Sequence, residues 1–244
     1  MTLGWRNFVL FALYAVVTAA IVWRAPIPQP ASYHGFADDR TIWGIANFFN
    51  VVSNAAFLIP GVVGLRFCLR QPPSGARWSW TTLFLGVSAV AAGSTYYHLA
   101  PDDGTLFWDR LPMTVGFTAL LVAMLDEYVA DRAERYILLP AVALGFASLL
   151  YWMRFGDLSV YFWMQAISLG TVVTVLVVHR GRGREHLYLL AAVLAYGAAI
   201  ICEQADRALW AMLGQELSGH TIKHLLAALG LYQLFRMLRD RART

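Results

Sequence analysis

The chain alternates between long runs of apolar residues and short polar connections. A helix needs about 20 mostly apolar residues to cross a hydrocarbon core about 30 Å thick, and eight runs qualify. They cover residues 5–23, 43–66, 80–99, 110–129, 136–153, 159–178, 187–205 and 218–238. No two-residue alternation recurs, and helices satisfy their own backbone hydrogen bonds in lipid. The pattern predicts an all-α fold, a polytopic transmembrane helical bundle, with a kink at Pro60 in the second run.

The composition supports a membrane protein over a soluble one. Of the 244 residues, 59% are hydrophobic and 14% are charged, whereas soluble domains average about 25% charged residues. A disordered chain, a secreted disulfide scaffold and an ordinary soluble enzyme are therefore excluded. The net charge of +4 comes without a basic run interleaved with aromatic residues, so we expect no nucleic-acid partner. The sequence gives no indication of oligomeric state.

The arginines indicate how the spans are oriented. Connections on one side carry thirteen arginines and those on the other side carry five, and the richer side of a bilayer is normally the cytoplasmic one. Both termini are therefore expected to be cytoplasmic. The first run lacks a clean signal-peptidase site, so we expect it to be retained as a span. Compact loops are typical of a bacterial inner-membrane protein.

A few polar residues lie within or beside the predicted spans, where ionisable groups are unfavourable and are functional candidates by default. Ser94 and His98 end the third span, Asp109 opens the fourth, and His220 and His224 open the eighth. The predicted orientation puts all five near the outer face. Taken singly, each is more typical of a packed, hydrogen-bonded side chain. The prediction of a site depends on all five meeting at one depth.

Three histidines at one depth suit zinc, because three protein ligands leave a fourth position open for water. Zinc acidifies such a water into a nucleophile. A carboxylate such as Asp109 can relay protons, and a hydroxyl such as Ser94 can stabilise an oxyanion. Two other classes stay open at this point: a haem protein with histidine ligands, and a peptidase that uses Ser94 and His98.

Four segments carry or flank these residues: IANFFNVVSN (45–54), GSTYYH (93–98), WDRLPM (108–113) and HTIKHLL (220–226). In order and spacing they resemble the alkaline ceramidase family and the wider CREST superfamily of membrane hydrolases, over roughly residues 33–235. The resemblance implies a seven-helix core in residues 33–244, preceded by an extra span and linker in residues 1–32. It also implies a zinc-dependent hydrolase that cleaves the amide of a ceramide-like membrane lipid, releasing fatty acid and an amine base.

The resemblance further implies roles for individual residues. His98, His220 and His224 would hold the zinc, and Ser94 and Asp109 would be the accessory catalytic pair. One alternative that it leaves open is a zinc-containing receptor or binding protein of the same superfamily that does not hydrolyse lipid.

The sequence departs from the ceramidases at two places. Their acidic calcium site includes a glutamate where this chain has Asn47, so calcium regulation is not expected, although Asp38 and Asp39 form a candidate cation site. The acidic residue that follows the catalytic aspartate in the family is replaced by Arg110. We therefore expect different contacts at the substrate mouth.

Weaker candidates lie on two other spans. Asn50, Ser53 and Asn54, in the second span, are expected to hydrogen-bond between helices and to support the metal ligands. Glu203 has Arg207 four residues later, and such a pair is expected to form an ion pair on one helix face. Lining the substrate mouth is the alternative role for Glu203.

Overall fold

The computed structural model describes residues 2–71, 75–178 and 183–243. Over these ranges the backbone forms ten α-helices and two short 3₁₀ helices. The α-helices are α1 (Thr2–Val22), α2 (Phe48–Ser53), α3 (Leu58–Arg70), α4 (Arg77–Leu99), α5 (Asp103–Tyr128), α6 (Ala133–Phe155), α7 (Ser159–Val178), α8 (Arg184–Gln204), α9 (Asp206–Met212) and α10 (Gly219–Arg241). The 3₁₀ helices cover Ala31–His34 and Asn54–Phe57.

Each of the eight apolar runs forms helix, which confirms the all-helical prediction. Within the described ranges, five segments are long and apolar enough to cross a membrane by length and composition. They are Phe48–Arg70, Asp103–Tyr128, Ala133–Phe155, Ser159–Val178 and Arg184–Gln204. The other three predicted spans correspond to α1, with a shorter apolar stretch at Asn7–Val22, and to α4 and α10, which carry polar residues among their apolar ones. The direction of the spans stays a prediction.

Apolar side chains face outward from the bundle, whereas polar side chains fill part of its interior. Leu139 on α6 is 81% exposed and Phe8 on α1 is 71% exposed, while Asp109, His98 and Thr118 are buried. Large exposed apolar surfaces are unfavourable in water. In lipid they are the expected exterior of a helical bundle, so the protein is an integral membrane protein.

The second predicted span is interrupted near Pro60. The 3₁₀ turn Asn54–Phe57 separates α2 from α3, and Pro60 lies in the first turn of α3. Proline has no backbone N–H, and its ring clashes with the carbonyl four residues earlier, so the regular α-helical hydrogen bonds cannot all form here. The helix changes to a 3₁₀ turn just before Pro60, and the kink itself stays a prediction.

The helices of the bundle differ in how centrally they lie. The helix α5 packs against α4, α6 and α7, and α10 packs against α8 and α3. The helix α1 lies against α7, where the Tyr14 hydroxyl is 2.7 Å from the Thr171 hydroxyl. This packing brings the end of α4 and the starts of α2, α5 and α10 to one end of the bundle.

One predicted boundary is wrong. The fourth span was expected to begin at residue 110, with Asp109 at its start, but α5 begins at Asp103. Asp102 caps it: its carboxylate accepts the Thr105 backbone N–H at 2.7 Å, and Thr105 returns a side-chain contact to the Asp102 backbone. A capping box of this kind starts a helix within polar sequence, where an apolar pattern gives no signal. Asp109 therefore lies in the second turn of α5.

Candidate active site

Three histidines converge at the end of the bundle where α4 stops and α10 begins. His98, His220 and His224 are all buried. One ring nitrogen from each histidine lies within 4.8 Å of a ring nitrogen of the other two. The Nε2 atoms of His98 and His220 are 3.3 Å apart. The three rings are mutually tilted, with centroids 4.8–5.1 Å apart.

The donor atoms of this cluster fit a metal ion. Two imidazole nitrogens that bind one tetrahedral ion at about 2.0–2.1 Å lie roughly 3.3 Å apart, and His98 and His220 have that separation. The Nδ1 atom of His224 is hydrogen-bonded to the Ser53 hydroxyl at 2.7 Å. The Nε2 atom is therefore the one that can bind an ion shared with the other two histidines. A haem is disfavoured, because the rings contact one another instead of facing each other across a planar gap.

A hydrogen-bond network supports the histidines from α2. The Ser53 hydroxyl that contacts His224 also lies 3.1 Å from the Asn50 carbonyl oxygen. The Asn50 side chain accepts from the Thr221 hydroxyl at 3.0 Å and donates to the Asp38 carbonyl at 3.1 Å. Asn50 is completely buried. The α2 residues therefore lie beside the histidines and fix the orientation of at least one ring.

Asn54, the first residue of the 3₁₀ turn after α2, acts less directly. It is also completely buried, and its amide donates to the Asn50 carbonyl at 2.8 Å. This bond joins it to Asn50 of α2, so among the described contacts it reaches the histidines only through Asn50.

Ser94 and Asp109 face each other across the α4–α5 interface. Both are buried, and the Ser94 hydroxyl lies beside the Asp109 carboxylate. The close packing of the helices explains this approach: a Cβ on Gly93 would lie 2.2 Å from the Trp108 carbonyl oxygen. Glycine at position 93 therefore allows the backbones of α4 and α5 to approach closely at the residues next to Ser94 and Asp109.

The predicted Glu203–Arg207 ion pair is wrong. Glu203 pairs instead with Lys223 of α10, at 2.7 Å, and accepts a hydrogen bond from the Tyr33 hydroxyl at 3.2 Å. Arg207 donates to the Gly35 carbonyl at 3.2 Å. The reason is that α8 ends at Gln204 and the chain turns into α9, so residues 203 and 207 do not share a helix face.

Tyr33 is a fixed donor in this part of the site. Burial raises the pKa of the Tyr33 phenol well above its usual range, and the negative charge of Glu203 adds to the effect. The phenol therefore stays protonated across the physiological pH range.

The candidate cation site at Asp38 and Asp39 is divided. Asp38 is completely buried, and both of its carboxylate oxygens accept hydrogen bonds at 2.8 Å from the guanidinium of Arg40. Asp39 is exposed. Since Arg40 occupies the Asp38 carboxylate, the arrangement does not favour a metal ion there. Asn47, which stands at the family's glutamate position, instead donates to the His98 carbonyl at 2.8 Å.

Three residues that contact the site were not among the candidates predicted from the sequence. Lys223 lies between two of the histidines on α10, and the rule for ionisable residues within spans could have found it. The Asp206 carboxylate accepts the His220 backbone N–H at 2.7 Å and the Ala37 N–H at 2.8 Å. The Phe36 ring lies 4.7 Å from the rings of both His98 and His220. The contacts of Phe36 and of Ala37 with Asp206 depend on the path of the segment before α2, and no pattern in the sequence predicts that path.

Comparison with known proteins identifies the family of the chain. A family model described as Ceramidase matches residues 40–240. This range contains the three histidines, Ser94 and Asp109, and it covers most of the chain. A search of curated proteins finds no match.

Proposed function

The chain belongs to the ceramidase family, whose members hydrolyse amide bonds of ceramide-like lipids, and on this premise we propose that it is a zinc-dependent intramembrane amide hydrolase. It cleaves ceramide-like N-acyl lipids and releases a fatty acid and an amine base. The observation that supports the proposal most strongly is the convergence of three buried imidazoles in a chain of this family.

The residues that would hold the zinc are His98, His220 and His224. A zinc ion in such a site polarises a carbonyl group and acidifies water to near-neutral pH. The Ser53 hydroxyl, at 2.7 Å from Nδ1 of His224, fixes that ring so that Nε2 is the ligand atom. Orienting contacts of this kind strengthen metal binding in many zinc proteins.

Asp109 and Ser94 are assigned the proton and oxyanion chemistry. Amide hydrolysis must add a proton to the leaving nitrogen, because an amide anion is a very poor leaving group. We assign to the Asp109 carboxylate the transfer of a proton from the attacking water to that nitrogen. The Ser94 hydroxyl is assigned a hydrogen bond to the developing oxyanion. The contact between Ser94 and Asp109 supports a joint role for the two side chains.

The N-terminal region is proposed to be an addition to the catalytic unit. The family match begins at residue 40, and α1 packs on the outside of α7. We assign residues 1–32 to an extra span and linker and residues 33–244 to a seven-helix core. On the arginine distribution we place both termini in the cytoplasm and the active site near the outer face. The compact loops lead us to propose a bacterial inner membrane.

The test combines metal analysis with a lipid assay on the purified protein. We expect about one zinc per chain and release of fatty acid from N-acyl lipids, with both lost in His224→Ala. The matched control is His186→Ala on α8, because His186 lies at the opposite end of that helix from Glu203. Full activity in protein freed of metal would refute the proposal. Bound zinc without turnover of any N-acyl lipid would favour the receptor or binding protein instead.

A further inference from the structure

Arg110 is a buried cation beside the proposed catalytic aspartate. Its side chain is 5% exposed, and its guanidinium lies over two aromatic rings, 4.6 Å from the centroid of Trp152 and 5.0 Å from that of Tyr161. The Tyr33 ring is 5.6 Å away. Three aromatic faces therefore enclose the charge, as they do in sites that bind cations through ring faces.

The guanidinium has too few polar partners for its burial. Its Nη2 atom donates to the Gln29 side-chain oxygen at 2.7 Å. Its Nη1 atom is buried and has no hydrogen-bond partner among the residues that the structure describes. Among those described residues, no carboxylate lies within ion-pair distance of the Arg110 guanidinium. Buried charges in proteins are normally paired, and this guanidinium has no anion in direct contact with it among the described residues.

The nearby carboxylates do not supply that anion. Glu203 is committed to Lys223 at 2.7 Å and to the Tyr33 hydroxyl. Asp109 contacts Ser94. Both carboxylates are close enough to interact electrostatically with Arg110, but neither forms an ion pair with it. The unfilled donor therefore points to a group from outside the protein.

We propose that Arg110 binds an anionic oxygen of the substrate, so that the preferred N-acyl lipids carry a carboxylate or a phosphate close to the amide. This inference rests on the proposed function. A planar guanidinium suits either group, because its parallel N–H donors match two oxygens at once. Apart from its amide, a neutral ceramide offers only hydroxyl groups and provides no anion for Arg110.

The position of Arg110 sets where the anion lies relative to the amide. Arg110 follows Asp109 directly on α5, so the two side chains start about 100° apart around the helix. Asp109 faces Ser94 on α4, whereas Arg110 faces Trp152 on α6 and Tyr161 on α7. The amide therefore lies on the α4 side and the anionic group extends towards α6 and α7, a few bonds away.

The test compares three lipids with the same acyl chain: a ceramide, a ceramide 1-phosphate and an N-acyl amino acid. For each, kcat/KM is measured with the wild type, Arg110→Gln and Arg110→Lys. The wild type is expected to prefer at least one anionic lipid by tenfold or more. Arg110→Gln should bring the anionic-to-neutral ratio close to one, and Arg110→Lys should keep an intermediate ratio. The larger preference distinguishes phosphate from carboxylate.

The control is Arg154→Gln on α6, which removes an exposed arginine outside the site and should leave the ratio unchanged. A wild type that cleaves neutral ceramide as well as both anionic lipids, with the same ratio in Arg110→Gln, would overturn the inference. Thermal stabilisation by each lipid is measured in parallel. If no lipid is cleaved but an anionic one stabilises the wild type and not Arg110→Gln, the anion site stands and the proposed hydrolysis fails.

Discussion

Gly219→Ala tests whether the histidine cluster depends on the close contact between α10 and the end of α8. A Cβ at position 219 would lie 2.2 Å from the Cys202 carbonyl oxygen and 2.8 Å from the Asp206 Cα. Both are backbone atoms, so no flexible side chain can move away. Ordinary contact begins about 1 Å further out, and the start of α10 must shift by about that distance.

The shift acts directly on the proposed metal ligands. His220 is the next residue, and its backbone N–H donates to Asp206 at 2.7 Å. Metal–ligand distances tolerate changes of only about 0.2 Å, and a displacement of about 1 Å can lower turnover by about 100-fold. We therefore expect Gly219→Ala to lose most of its metal and to lower kcat by 100-fold or more. The overpacking should destabilise the fold by about 1–3 kcal/mol.

Elemental analysis, fatty-acid release and thermal melting in detergent measure these effects on the same preparation. The matched control is Gly197→Ala on α8, where a Cβ would meet nothing within 4 Å among the described residues. Alanine favours helix over glycine by roughly 0.5–1 kcal/mol, so this variant should keep its metal and melt no lower than the wild type. Normal metal content and turnover in Gly219→Ala would refute the packing argument.

Three further predictions concern single side chains. Ser53→Ala removes the partner of His224 Nδ1 and should weaken metal affinity by about 10–100-fold, measured by chelator competition; unchanged affinity would contradict the orienting role. Asp109→Asn should lower kcat by about 100-fold or more at unchanged metal content, and equal turnover would favour a non-catalytic site. Burial raises the pKa of Asp157, but hydrogen bonds from the Ser159 side chain and the Ile27 backbone N–H outweigh burial and hold that pKa below its usual range. Its contribution to stability is present at neutral pH and is lost as the pH falls through that lowered pKa, so the melting difference between wild type and Asp157→Asn should shrink in acid. A pH-independent difference would contradict this linkage.

The apolar pattern was sufficient to predict a helical bundle and a common depth for its polar residues, although not which of them are neighbours. Alternate spans run in opposite directions, so the end of the span with His98 and the start of the span with His220 must lie on one side of a membrane. The spacing of four residues then puts His220 and His224 on one helix face. These two rules need no knowledge of which helices are neighbours.

The partners of individual charged residues could not be predicted in the same way. The choice of Lys223 over Arg207 as the partner of Glu203 depends on the neighbours of α8 and on its end at Gln204. Spans that are apolar on every side give no stripe from which to read rotation or neighbour order. The same limit applies to Asp38, whose partner Arg40 is close in sequence, because a loop has no periodicity to indicate where its side chains point.

The location of the site at the helix ends follows from what a polar centre needs inside a membrane. Imidazoles and carboxylates in lipid require hydrogen-bond partners, and a helix interior has already used its backbone groups. At the helix starts and in the segment before α2, free backbone and capping groups are available. Asp206 at the start of α9 accepts the His220 backbone N–H, Ser53 at the end of α2 contacts His224, and the Asp38 carbonyl accepts a hydrogen bond from Asn50. The connecting segments therefore belong to the candidate site, and changes in them should affect metal binding as much as changes in the helices.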